Sequence, residues 1–279
     1  MGNCIYCGEK AGFLSKRHKE CQCKFDIGKS DIISLIKQIG KQKLELSSLK
    51  NEIINTAKQS FIDEETLTNL YIQGFELLVD EAFEDGVLSA DEEENFLNFM
   101  EHFNLSQNVV DKNGYYTKIV KGSVLRDVFN GIIPQRMQIT DDLPFNLQKS
   151  EQIIWLFTDV KYYEQRTRTQ YVGGSRGVSV RLAKGLYYRV GAFKGERIQT
   201  SEIRHTDTGL LGVTQKHIYF YGLMTTKIFK VPYSKIVAFQ PFEDGIGIQK
   251  DAATAKPQSF VTGDGWFTYN LITNLAKAC

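Results

Sequence analysis

The sequence predicts an α+β chain. A short metal-binding knuckle comes first, then an α-helical bundle unit, then an antiparallel β-sandwich or partly open barrel capped by a final helix. Three observations predict this. Cys4, Cys7, His18 and Cys21 crowd the first two dozen residues. Apolar residues then recur at helical spacing as far as about residue 130. From Thr206 to Lys250, β-rich runs follow one another between Gly, Thr, Pro and Asp, the pattern of a meander with tight turns. The expected domains are 1–26, 27–142 and 143–279.

The knuckle carries the sharpest chemistry. Cys4-x-x-Cys7 offers two thiolates on one side of a turn closed by Gly8, and His18-x-x-Cys21 offers two more ligands one helical turn apart. Cys4, Cys7, His18 and Cys21 make a closed set for structural zinc, with Cys23 competing for the place of His18. The alternative is reduced thiols without metal. A segment this short builds no apolar core, so metal would supply its folding energy. Lys10, Lys16, Arg17, Lys19 and Lys24 surround it, either as a solvated surface or as a nucleic-acid contact that lacks an aromatic platform for bases. The segment resembles small zinc ribbons or knuckles.

From Ser30 to Ser60 the spacing predicts one long helix. Ile32, Ile39, Leu46 and Ile53 recur every seven residues, Leu35 and Leu49 fill the companion seam, and Ser30 is a fair N-cap. Gly40 and Gln42 interrupt the seam, so packing on neighbouring helices is expected before a free coiled coil, with a homodimer through residues 30–60 as the alternative. Leu67, Leu70, Tyr71, Phe75, Leu78 and Val79 mark the next helix, and Phe96, Leu97, Phe99, Met100 and Phe103 the one after it. Ser89-Ala-Asp-Glu92 is a capping box. A calcium loop across residues 81–92 would place Phe83 where an oxygen ligand is required. Val124, Leu125, Val128, Phe129 and Ile132 suggest one more short helix before the Pro134–Pro144 connector. The run from Asp80 to Glu93 resembles the tellurite-resistance TerB-like helical family. Such units recur in stress and phage-defence contexts, and the resemblance implies a role of that kind.

In the last domain, Ile153 to Tyr163, Val178 to Leu182 and Gly185 to Val190 read as strands. Gly173 to Gly177 is a turn and not a phosphate-binding loop, because no Gly-Lys-Ser or Gly-Lys-Thr follows. Arg176, Arg181 and Arg189 would lie close together if these strands pair, forming a cluster for phosphate or carboxylate. The competing reading is a solvated face, or a partner for the acidic helical unit. His205-Thr-Asp207 is expected in a loop entering a strand, because no nucleophile accompanies it. Asp264 caps a closing helix whose apolar face is Phe267, Leu271, Ile272 and Leu275. Gly209-Leu-Leu-Gly-Val-Thr214, Ile218-Tyr-Phe220, Ile228 to Val231, Ile236 and Asp244-Gly-Ile-Gly-Ile248 together resemble GRAM and bacterial pleckstrin-homology-like domains. That resemblance implies an adaptor holding an acidic protein segment or an anionic lipid headgroup.

Net charge is only +1, which excludes a global electrostatic case for nucleic acid or membrane. Locally the charges segregate. No Lys or Arg occurs between Gln59 and Asp111, whereas Arg166 to Arg204 is strongly basic. No apolar run reaches membrane-spanning length, no signal peptide is legible, and Tyr6 spoils a myristoylation signal at Met1-Gly-Asn-Cys4. The expectation is a cytoplasmic, non-enzymatic protein with a protein partner or an anionic lipid. The alternative is a nucleic-acid-associated regulator that uses the knuckle and residues 166–204.

Overall fold

Helix α1 (Lys19–Lys41) starts well before Ser30, directly after the metal-ligand segment, and α2 (Leu46–Gln59) is a separate helix packed against it. The expected single helix over 30–60 is therefore two, and Ser30 lies inside a helix instead of capping one. The physical reason is burial: Ile32 and Ile36 of α1 and Leu49 and Ile53 of α2 enter the same core, which one straight rod could not arrange. A computed structural model describes residues 2–12, 15–41, 46–84, 88–137, 139, 142–172, 178–183, 186–190, 196–252 and 255–278. Along 40–41, 166–172, 178–183, 186–190 and 196–201 it describes the backbone alone. The chain divides into two compact units, residues 1–130 and 131–279.

In the first unit α3 (Glu64–Ala82) is the central helix and packs on α1. Its Gly74 makes the approach possible, since a Cβ there would lie 2.6 Å from Ile36 Cγ2. Asp63 caps α3 by accepting from Thr66 N at 2.7 Å. The Ser89–Glu92 capping box opens α4 (Ala90–His102) as expected. A four-residue helix, α5 (Gln107–Val110), leads into α6 (Tyr115–Phe129), which is longer than the short helix expected there. Phe75, Phe96, Phe99, Phe103 and Tyr71 form the aromatic centre of the bundle.

The second unit is one curled antiparallel sheet, not two stacked ones. Its strands are β1 (Ile153–Val172), β4 (Glu196–Thr214), β5 (His217–Gly222), β6 (Ile228–Pro232), β7 (Ile236–Phe242), β8 (Gly245–Lys250) and β9 (Gln258–Val261). They lie in the order β6-β5-β4-β1-β9-β8-β7, while β2 (Val178–Ala183) and β3 (Leu186–Val190) form a separate hairpin. A 3₁₀ turn (Tyr233–Lys235) joins the two edge strands β6 and β7. Helix α7 (Gly265–Lys277) is capped by Asp264 and packs on β7 and β8. Its expected face is buried: Phe267 meets Trp155 at 4.8 Å, and Leu271, Ile272 and Leu275 are enclosed. Inside the curl Tyr162 touches Phe220, Phe229 and Phe260.

The outer face of β5 carries a second, smaller cluster in which Phe145 and Ile153 pack on Tyr219. Beneath it lies a buried carboxylate. Glu151 accepts from His217 Nδ1 at 2.5 Å, Tyr219 OH at 2.5 Å, Thr214 Oγ1 at 2.9 Å and the backbone N–H of Gln148 at 3.0 Å. Burial pushes its pKa up, but the donors from Tyr219, His217, Gln148 and Thr214 outweigh that and bring it down to about 2. The sign follows from the ordinary value of 4.5: the network stabilises the fold above pH 4.5, and that contribution fades as pH falls toward about 2. Thermal unfolding followed across this range should show the second unit losing stability between those values. Glu151→Gln should be less stable at pH 7 and should flatten the acid dependence.

Candidate metal centre

Four chemically suited side chains meet at the start of the chain. Backbone bonds from Cys4 N to Glu9 O at 2.7 Å and from Gly8 N to Cys4 O at 2.9 Å fold residues 4–9 into a tight loop, with Gly8 at a φ of 76°. That φ suits glycine, which lacks the Cβ that makes it costly elsewhere. The turn turns Cys4 and Cys7 inward. His18 immediately precedes α1, with the N–H of Gln22 bonded to its carbonyl, and Cys21 lies in the first turn of the helix. The ligand atoms of Cys4, Cys7, His18 and Cys21 all lie within 4.8 Å of one another.

The geometry fits one tetrahedral ion. His18 Nδ1 is 3.3 Å from Cys7 Sγ and 3.8 Å from Cys21 Sγ. A tetrahedron with metal–sulfur bonds of about 2.3 Å has edges of roughly 3.8 Å. His18 Nε2 lies 3.1 Å from the carbonyl of Lys10 and donates to it, leaving Nδ1 to face the sulfurs. Cys23 is exposed and outside the cluster, so the group brought together includes His18 and not Cys23.

The electrostatics of the cluster suit a cation. Burial raises the Cys4 pKa, yet backbone N–H groups of Cys7, His18 and Tyr6 outweigh it and lower the thiol to about 6. Burial, together with Cys7 and Cys4 beside it, pushes Cys21 up to about 11. Three sulfurs this close cannot all become thiolates without a positive ion between them. The loop is also tied to the bundle: the Tyr6 ring lies 5.0 Å from Phe25 and 6.2 Å from Phe61, and its hydroxyl donates to Gln22.

The other predicted site residues fall differently. Arg176 lies outside the described residues, as do the side chains of Arg181 and Arg189. The backbone register pairs Arg181 with Tyr187 and Arg189 with Ser179. His205 and Asp207 are inside β4, not in a loop entering it. His205 is exposed and bonds Thr208 Oγ1 at 3.1 Å. Asp207 is buried and holds the β5–β6 turn, accepting from Met224 N at 3.1 Å, Thr225 N at 3.0 Å and the Thr225 hydroxyl. Gly222 makes room for it, since a Cβ there would lie 2.1 Å from Asp207 Oδ2. The buried Glu151–His217–Tyr219 group was not foreseen, because its members are far apart in sequence and no motif joins them.

No protein-family model matches this chain, and no curated protein matches it in sequence. Among the described residues no helix is long and apolar enough to cross a membrane.

Two outcomes are expected. Titrating the metal-free chain with zinc at neutral pH should saturate at one ion and release protons, and cobalt should give the absorption of a tetrahedral thiolate site. Cys7→Ser should abolish both, while Cys23→Ser should leave them unchanged. Asp207→Ala should lower stability by about 2 kcal/mol, read by urea unfolding, because it strands donors that now meet a carboxylate.

Proposed function

We propose that the chain is a non-enzymatic adaptor whose second unit holds an anionic partner, an acidic protein segment or an anionic lipid headgroup, while a zinc-bound knuckle serves as a structural element of the first. The carrying observation is the reach of β1 and β4. They stay paired from Ile153↔Thr214 out to Val172↔Glu196, whereas β9 accompanies β1 only over Lys161–Glu164 and β5 accompanies β4 only over Gly209–Val213. Beyond Glu164 the two strands continue together as a ribbon.

Charge is distributed unevenly along that ribbon. Near its base acid and base share register positions, as in Glu164↔Arg204 and Arg166↔Glu202. The stretch 173–195 holds Arg176, Arg181, Lys184, Arg189 and Lys194 and no carboxylate. Basic charge at the far end of an extended arm suits a phosphate- or carboxylate-bearing partner. The strand order and the helix packed after the last strand support a pleckstrin-homology-like reading of residues 153–277. The Ser89–Glu92 capping box that opens α4 supports the TerB-like reading of the first unit, and with it a role in bacterial stress or phage defence. Support for a non-enzymatic role comes from His205 and Asp207, whose bonds are spent on a turn and a neighbouring hydroxyl.

Sedimentation with vesicles containing phosphatidylserine, and retention on an immobilised poly-glutamate column, test this reading. At least one should retain the chain in low salt and release it as salt rises. Replacing Arg176, Arg181 and Arg189 together by Gln should abolish retention with the circular-dichroism spectrum unchanged. Salt-insensitive retention, or none on either, would remove the proposal.

A further inference from the structure

A separate cavity of about 630 Å³ opens in the second unit. It lies where the start of β5, the end of β6, the 3₁₀ turn and the last turn of α7 come together. Gln148, Gln215, Lys216, His217, Ser234 and Leu275 are among its lining residues.

His217 is the informative one. It is 8% exposed, and its Nδ1 is committed to Glu151 at 2.5 Å. Its Nε2 has no partner among the described residues, and the ring is part of the cavity wall. With Nδ1 committed to Glu151, Nε2 is the ring atom left to bond a ligand. Lys216 Nζ has one neutral partner, Ser150 Oγ at 3.0 Å, and no carboxylate. The amide of Gln148 and the hydroxyl of Ser234 add further donors. Glu151 is enclosed behind the imidazole and does not line the space, so the wall presents donors and a cation with no acidic side chain.

We propose that this cavity binds an oxyanion, the carboxylate or phosphoryl group of a small ligand. Lys216 supplies charge, and His217, held in place by Glu151, presents Nε2 to the ligand. Leu275 and Pro232 flank the apolar remainder of such a ligand.

NMR of the full chain tests it, following the His217 ring during titration with inorganic phosphate and, separately, with acetate, with sodium chloride holding the ionic strength constant. Saturable displacement of the His217 signals by phosphate identifies a phosphoryl ligand, and by acetate a carboxylate. Lys216→Met, at an exposed position, should weaken that binding about tenfold, the effect of losing one charge-assisted contact, with the melting temperature unchanged. His217→Gln, followed instead through the Lys216 backbone amide, should abolish it. Shifts no larger than sodium chloride alone produces would overturn the proposal. So would saturable binding that Lys216→Met leaves intact.

Discussion

Strand β1 bonds to β4 along one side and to β9 along the other, and the second unit depends on that double attachment. On one side stand β4, β5 and β6; on the other β9, β8 and β7. Neither trio would bury an inner face alone. Joined through β1 they curl, and Tyr162, whose ring β1 delivers to the centre, meets Phe220 from one trio and Phe260 from the other. Helix α7 then fills the space against Trp155 and Phe157, so the last helix and the first strand close the same core. The outer face is secured differently, by the buried Glu151 carboxylate that ties the entry to β1 to the side chains of β5.

The first unit faces the problem of anchoring a segment too short to fold alone. Its answer combines coordination chemistry with stacking. The metal ligands straddle a loop and the first turn of α1, and Tyr6 lays the loop against Phe25 and Phe61. Removing an ion held there would therefore affect more than a knuckle, because Cys21 belongs to a helix of the bundle core.

Much of this was legible in the residues. Cys4, Cys7, His18 and Cys21 stood out together because coordination requires particular atoms at particular intervals, and the fold does bring their ligand atoms within 4.8 Å of one another. Ser89 with Glu92, and Asp264 before an apolar face, identified helix starts, because capping is local. What escaped was non-local or featureless. The break between α1 and α2 escaped because the heptad-like spacing continues through it. The outer half of β1 escaped because Arg166, Thr167, Arg168, Thr169 and Gln170 give no apolar alternation in the sequence. Asp207 looked like loop chemistry because its role depends on Thr225, a residue from the next turn. The Glu151 network escaped for the same reason.

The ribbon formed by β1 and β4 has a mechanical consequence. From Glu164 to Val172 it spans about 26 Å at the usual rise of an extended chain, past the last residue that β9 supports. A lever of that length magnifies small twists at its base into large displacements at its tip.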